Sequence, residues 1–531
     1  PLFSRMLRLL SVFLIGFLIA DAYKILVYSP KFGHSHSNYM GRIADILAEA
    51  GHDVSTIVSV MDHEVADGTK LSKIIKVQPS AATASMFAEM TKTKMDMFEM
   101  NNFNPIGAHF MGQFFGDLFA TQCRALLDEP GLVDKLKSET FDIFFTEHFD
   151  MCGVGLVELI KPRSLISVAA STAFGPQLEE FGVPTALSSD PALYVSKMNV
   201  HSIWDRIVNI WGDFVVRLSF NPMRSKVLAV YREKFGANYP SMDQISSNSA
   251  YVFTNTEPLI DYAVPTISKV IPIGGIGAKE PKELSEDWKK ILTKREKTVL
   301  LSFGSVAKSA YLPMKVKMSI VETVKALTHV TFIWKYEVDD DFTRDHASKL
   351  KNLELTKWMP QVDILAHPNL SLFITHGGMG STQETALRGV PGIFIPIFGD
   401  QPRNAGMMEH NKLGKVLDKT EVTNSAKFVE VIREVLEDDS YRTNARRVSA
   451  MLHKRPFSAR EQLIKYTEFA AEFGPSKALR PQSHDMNWIE YHNVDIIISG
   501  LIIAFITVVI TLKITQRVLC RIFRVSKSKK D

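Results

Sequence analysis

The chain is predicted to be an α/β protein with two Rossmann-like domains facing a cleft, followed by one C-terminal transmembrane helix. Three observations predict this. Its 531 residues exceed one hydrophobic core, because cores stop growing near roughly 250–300 residues. In both halves, apolar runs of strand length alternate with helix-length amphipathic stretches, the pattern of parallel sheets. Several of these runs end in glycine-rich or charged turns, and such sheets bind ligands beyond the carboxyl ends of their strands. A hydrophobic content of 46% and a charged content of 23% are ordinary for a globular chain, and no fixed-period repeat is present.

The two ends stand apart from the body. Arg5 and Arg8 precede an apolar run over residues 9–20 and then Ala20-Asp21-Ala22, which reads as a signal peptide over residues 1–22. A buried first helix is the alternative, but an independent strand begins at Tyr23. Near the other end, residues 494–512 are long and apolar enough to span a bilayer as a helix. The tail 513–531 holds seven basic side chains against Asp531. A basic tail marks the cytosolic side, so the chain is predicted to be a single-pass type I membrane protein. Lys527 and Lys529 resemble the dilysine signal of endoplasmic-reticulum proteins, which predicts that membrane as the location and its lumen as the side of the body. The tail carries +6 and residues 1–22 carry +1, so the chain's +4 leaves the body at −3, which argues against nucleic-acid binding. Cys520 lies in the tail. Cys123 and Cys152 allow one bridge and exclude a disulfide framework, and their pairing stays open.

The body opens with a strand over residues 23–29 (YKILVYS), a loop PKFGHSHSNYM, a helix over 42–50 and a strand over 54–60, a βαβ unit. His34 and His36 fall in that loop. Residues 83–122 are dense in Met and Phe, read as core packing or as a pliable wall for apolar ligands. Residues 141–146 (FDIFFT) form a buried strand ending in Glu147-His148-Phe149-Asp150. Strands over 165–169 and 251–254 enclose a helical, irregular stretch. Pro and Gly residues from Pro258 to Gly277 mark the boundary, dividing the body into a first domain over 23–265 and a second over 266–455. The second domain holds a strand ending in the turn Ser302-Phe303-Gly304-Ser305, a helix over 314–327, and strands over 330–334 and 353–358. A strand over 370–375, a helix over 381–387 and a strand over 392–398 follow. Residues 425–452 are one or two helices, and 456–493 return across the body toward the membrane.

The chemistry concentrates in two places. In the second domain Trp358 can stack a nucleobase, and Gln361 can bond its edge or the ribose. His376, with the amides of Gly377 and Gly378, sits where strand meets helix, a seat for phosphate. Ser381 is expected to cap that helix, Glu384 to accept from ribose hydroxyls, and Asp400 and Gln401 to grip sugar hydroxyls. Each residue alone has a plain structural explanation; their order and spacing together do not. The first domain offers a base: His36 can take a proton, and Glu147 can orient and stabilise its imidazolium. His34 competes with His36, and Asp150 with Glu147. A zinc site at His34 and His36 is disfavoured, because neither HExxH nor CxxC occurs. Asn369-Leu370-Ser371 is a glycosylation sequon.

These motifs carry a resemblance. Trp358-Met359-Pro360-Gln361, residues 373–378, Ser381, Glu384, Val390-Pro391 and Phe398-Gly399-Asp400-Gln401 resemble the signature of the UDP-glycosyltransferases, and in particular the membrane-anchored animal UDP-glucuronosyltransferases. Gly51-His52, the turn at Ser302, Arg480-Pro481 with His484-Asp485, and both ends extend it over nearly the whole chain. The resemblance implies a GT-B fold and an inverting, metal-independent transfer, with a UDP-sugar as co-substrate, no cofactor and a small lipophilic acceptor. It places the base at His36 and its usual aspartate partner on Glu147, one methylene longer. Gly380 stands where relatives often have Asn. The resemblance implies donor contacts from Ser302, Gly304 and Ser305 as well. Glucuronic acid is the donor sugar expected. UDP-glucosyl transfer to lipid or hormone-like acceptors, and non-catalytic UDP-sugar binding, are the rivals. Oligomeric state, homo- or hetero-, is left open.

Overall fold

The computed structural model describes residues 22–92, 98–304 and 307–527. The expected signal peptide, Ser305 and the terminal Lys529 lie outside the described residues. Residues up to Leu479 form one compact unit and Arg480–Asp531 a second.

The first unit contains two sheets. One has the order β3-β2-β1-β4-β5-β6-β7, from β1 (Lys24–Lys31), β2 (Asp53–Val60), β3 (Lys73–Val77), β4 (Ile143–Glu147), β5 (Ser164–Ala169), β6 (Tyr251–Thr254) and β7 (Val270–Pro272). The other has the order β10-β9-β8-β11-β12-β13, from β8 (Lys297–Ser302), β9 (Val330–Lys335), β10 (Leu353–Thr356), β11 (Leu370–Thr375), β12 (Gly392–Phe394) and β13 (Gly414–Val416). Every pairing is parallel. Parallel strands are covered by helices on both faces and read as continuous apolar runs. Ile25, Leu26, Val27 and Tyr28 of β1 and Val299 and Leu300 of β8 are accordingly fully buried.

The chain winds outward from β1 to β3 and then jumps back to place β4 beside β1. It repeats the manoeuvre with β8 to β10 and β11. The reversal opens a crevice at the carboxyl ends of β1 and β4, and another at those of β8 and β11. Those ends are Lys31, Glu147, Ser302 and Thr375.

The helices that shape these crevices are α1 (His34–Glu49), α2 (Pro105–Asp128), α3 (Cys152–Ile160), α4 (Ile203–Phe235), α5 (Gln361–Leu365), α6 (Met379–Arg388), α7 (Gln401–His410) and α8 (Ala459–Phe473). One expectation is corrected here. His34 and His36 do not lie in a loop; they occupy the first turn of α1, because Gly33 takes an extended conformation as N-cap and starts the helix early. The expected strand over 392–398 ends at Phe394. Residues 425–452 fall in two helices, Ser425–Glu437 and Asp439–His453.

Two elements cross between the sheets. Val270–Pro272, within the Pro/Gly-rich stretch, adds to the edge of the first sheet. Helix α8 returns to that sheet: Ser164 donates to the Ala470 carbonyl at 2.7 Å, and His52 Nε2 lies 3.6 Å from Glu468. Cys123 of α2 and Cys152 of α3 form a disulfide with a Cα–Cα distance of 5.5 Å. In the second unit, Val494–Ile522 is long and apolar enough to cross a membrane.

Candidate active site

His36 sits where β1 passes into α1. Its ring packs against Phe32 at 4.5 Å and Phe149 at 4.9 Å between centroids. The first turn of a helix presents its side chains toward the preceding strand end, so the imidazole reaches the neighbouring strand. There its Nδ1 lies 3.4 Å from Glu147 Oε1, with 11% of the His36 side chain exposed and 1% of Glu147. The contact is an ion-pair distance rather than an aligned hydrogen bond, and among the described residues Nδ1 has no hydrogen-bond partner. Glu147 is held in turn: its Oε2 accepts from the Phe149 amide at 3.1 Å.

Asp150 and its neighbour His148 are committed elsewhere. Asp150 accepts from the Tyr28 hydroxyl at 2.6 Å and the Cys152 amide at 3.2 Å. Burial, reinforced by the Glu147 charge, pushes its carboxyl up to about 7. His148 is bound to Ser167 at 2.7 Å and faces Glu180 at 3.3 Å, and burial drives its imidazole down to about 3. His34 is half-buried.

The crevice of the second sheet is lined by the turn after β8 and the turn after β11. Gly304 has φ +85° and Gly377 φ +81°, left-handed conformations that favour glycine. The His376 ring lies between Gly304 and Gly378, where a Cβ on either glycine would come within 2.6 Å of the ring. Burial and the nearby Lys335 charge pull the His376 imidazole down to about 4, so it is neutral at neutral pH and offers one donor and one acceptor. Ser302 is buried beneath this turn, and its Oγ accepts from the Gly304 amide at 3.4 Å.

Helix α6 begins at this point with Gly378 as its N-cap. This corrects the expectation that Ser381 caps the helix: Ser381 lies inside the first turn. The amides of residues 379–381 therefore lack helical partners and carry the positive end of the helix dipole. Gly380 is exposed, with open space where a side chain would stand.

Trp358 lies between β10 and α5, 73% exposed. Gln361 and Glu384 prove to be one unit rather than two independent groups, since the Gln361 amide donates to Glu384 Oε2 at 2.7 Å. Burial pushes the Glu384 carboxyl up. Asp400 stands at the N-cap position of α7 with no side-chain bond to the helix amides, and its Oδ2 accepts from the Asn404 side chain at 2.9 Å. Burial pushes it up, against the pull of Asn404, of the His36 ring and of the Thr172 backbone. Arg403, three residues on, donates to Thr172 beyond the carboxyl end of β5 at 3.2 Å, so Asp400 lies near the first sheet's crevice and the two crevices face each other. Gln401 is buried, and its Oε1 accepts from the Ile397 and Phe398 amides at 2.8 and 3.2 Å. That oxygen braces its own loop and is not free for a ligand. Among the described residues no three His, Cys, Asp or Glu side chains converge as metal ligands.

Some site residues escaped the sequence reading. Lys335, at the carboxyl end of β9, donates to the Gly304 carbonyl at 2.8 Å and fixes the left-handed turn. Asn404 ties Asp400 to the Gly377 carbonyl, reached at 3.1 Å. The strand-end rule that singled out Ser302 also applies to Lys335, and Asn404 stands one helical turn beyond Asp400.

Two parallel sheets with opposed crevices, one holding an imidazole beside a carboxylate and the other two glycine turns at a helix N-terminus, have the GT-B arrangement of glycosyltransferases. Solved structures agree on the fold. CalG4, the calicheamicin glycosyltransferase, superposes with a TM-score of 0.58 at 15% identity, covering 85% of this chain and 100% of that one. Os79 from O. sativa does so at 0.55 and 16%, covering 85% and 100%. The sequence matches the family described as UDP-glucoronosyl and UDP-glucosyl transferase over residues 23–530, and the chain belongs to that family. It is 30% identical over 497 residues to ugt-47 of Caenorhabditis elegans, a relative carrying the name UDP-glucuronosyltransferase, with 91% of each chain covered. It is 28% identical over 501 residues to human UDP-glucuronosyltransferase 3A2, with 93% of each covered. The protein is therefore a glycosyltransferase that takes its sugar from a UDP-sugar.

Proposed function

We propose that the protein transfers glucuronic acid from UDP-glucuronate to a hydroxyl of small lipophilic acceptors, with inversion at the anomeric carbon. The observation that carries this reading is the His36–Glu147 pair, 3.4 Å apart at the strand reversal of the first sheet and opposite the anion seat of the second. His36 takes the acceptor's hydroxyl proton as the oxygen bonds to the anomeric carbon. The bond from that carbon to the diphosphate oxygen breaks, and UDP leaves with the electron pair. Glu147 stabilises the imidazolium that results. One displacement from the face opposite UDP inverts the centre.

The first domain, residues 23–265, supplies the acceptor wall and the base. The second, residues 266–455, holds the donor. Trp358 stacks the uracil, and the Gln361–Glu384 pair takes the ribose. His376 with the amides of Gly377, Gly378, Gly380 and Ser381, and the Ser302-Gly304-Ser305 turn, receives the diphosphate. Asp400 meets the sugar, and Gln401 holds that loop in shape. The names of the curated relatives support glucuronate as the sugar. The apolar Val494–Ile522 helix and the basic tail support a type I anchor in the endoplasmic-reticulum membrane, with the body in the lumen.

The test is a donor panel, UDP-glucuronate against UDP-glucose, with a generic phenol as acceptor. Preference for UDP-glucose overturns the donor assignment. His36→Ala should abolish transfer with either donor while calorimetry still shows UDP binding. Transfer near the wild-type rate would remove His36 from the base role, and UDP binding without turnover in the wild-type chain would favour a non-catalytic binder.

A further inference from the structure

Arg403 of α7 belongs by sequence to the second domain, yet its side chain is engaged by the first. It is 2% exposed. Its N–H groups donate to four acceptors, all from the first domain: Nε to the Pro191 carbonyl at 3.2 Å, Nη1 to the Thr172 hydroxyl at 3.2 Å and to Asp261 at 2.7 Å, and Nη2 to Asp190 at 3.1 Å. The Tyr262 ring centroid lies 5.3 Å from the guanidinium carbon.

The acceptors are themselves held. Asn209 of α4 is buried, donating to the Leu187 and Asp190 carbonyls at 2.7 and 2.8 Å and accepting from the Ala192 amide at 2.7 Å. These bonds fix the loop that presents Asp190 and Pro191. Further along α7, a Cβ on Gly406 would collide with the Ser196 carbonyl, so the helix backbone itself lies against the first domain. The first turn of α7 also reaches the donor side. Asn404 donates to the Gly377 carbonyl at 3.1 Å and to Asp400 at 2.9 Å. Asp400, three residues before Arg403, shares its side of the helix.

Stability alone is a poor reason for this cluster, because a buried ion pair gains little over well-packed apolar side chains. What a planar guanidinium adds is direction: several N–H bonds from one rigid group set angle as well as distance. Transfer needs that control, since a misplacement of about 1 Å between reacting groups costs on the order of 100-fold in rate.

We propose that Arg403 is a positioning residue for the transfer: its hold on the first domain fixes the first turn of α7, and with it the sugar-binding Asp400, at the working distance from His36. The inference rests on the function proposed above.

The test compares the full-length wild type, Arg403→Lys, and a triple variant, Arg403→Met with Asp190→Asn and Asp261→Asn, which removes both carboxylates together with the guanidinium. Turnover with the donor that the wild type prefers, at saturating phenol, is divided by the number of UDP sites counted by calorimetry, so that unfolded copies do not enter. The triple variant should lose roughly ten-fold or more in kcat per site, with the Kd for UDP and the KM for phenol at wild-type values. Arg403→Lys, which keeps the charge without the fork, should fall between the two. A smaller loss in the triple variant overturns the proposal. So does a loss matched by weaker UDP binding, which makes Arg403 a support of the donor site alone. If the triple variant binds no UDP, Arg403→Lys decides: a loss of about three-fold or more per site at unchanged UDP affinity supports the proposal, and a smaller one overturns it. A wild type that binds UDP but transfers neither sugar removes the function proposed above and this inference with it, whereas an active wild type beside an equally active triple variant removes this inference alone.

Discussion

Trp358 and Asp150 show how differently single residues reveal their roles. An aromatic left 73% exposed at the end of a strand gains nothing from burial, so its flat face is available to a base. Trp358→Ala should weaken UDP binding by about 1–3 kcal/mol, read by calorimetry, and unchanged affinity would remove the stacking role. Asp150 is the opposite case, a buried acid whose pKa is raised from 3.8 to about 7. The folded state then holds a proton that the unfolded chain releases, so this group's stabilisation is present below about 4 and is lost as pH rises through 7. Asp150→Asn should therefore become progressively more stable relative to the wild type between pH 5 and pH 8, measured by urea midpoints. A difference that does not change with pH would show that Asp150 stays ionised. His376 and His148, with pKa values lowered to about 4 and about 3, act with the other sign and cost stability as pH falls below about 6.5.

At the scale of the element, the turns after β8 and β11 and the start of α6 shape the proposed diphosphate site. Gly304 and Gly378 both abut the His376 ring, whereas Gly380 faces open space. Gly304→Ala meets both a clash and a left-handed φ, and should cost about 1–3 kcal/mol of stability along with most of the UDP affinity. Gly380→Asn meets neither. It should leave the melting temperature unchanged or slightly raised, because glycine is a poor helix former, and should tighten UDP binding by adding an amide beside the first-turn N–H groups. Differential scanning calorimetry and UDP titration on the same two variants separate these outcomes. The elements themselves were largely legible as apolar runs: β6 and β11 fall on residues 251–254 and 370–375 as expected. The start of α1 was not, because its N-cap is Gly33, which has no side chain to signal a cap. The periodic apolar face of that helix becomes visible only from Tyr39 onward, so its first turn, with His36, has the look of a loop in the sequence.

At the scale of the molecule, the two sheets are joined by buried polar contacts. Arg403 of α7 is almost wholly buried and pairs with Asp261 at 2.7 Å and Asp190 at 3.1 Å, while also donating to Thr172 and to the Pro191 carbonyl. Gln383 of α6 donates to Asn255 beyond β6 at 2.9 Å. Arg403→Met leaves two buried carboxylates facing each other and should cost about 3–5 kcal/mol, seen as a lowered denaturant midpoint. Combining it with Asp190→Asn and Asp261→Asn should restore most of the loss. If the triple variant is as unstable as the single one, packing rather than charge holds this junction. Phe98 adds an apolar contact, joining the buried core of the second sheet, although its Met- and Phe-rich segment belongs to the first domain's sequence.

The sequence by itself determined most of the strands, the glycine turns and the apolar C-terminal segment, because these depend on local composition and period, and the family resemblance singled out His36 and Glu147 from His34 and Asp150. Only the tertiary structure decided that Gln361 serves Glu384, that Gln401 braces its own loop, and that Cys123 meets Cys152. Each of those depends on which partner a side chain finds across tens or hundreds of residues, and a periodic pattern carries no record of distance.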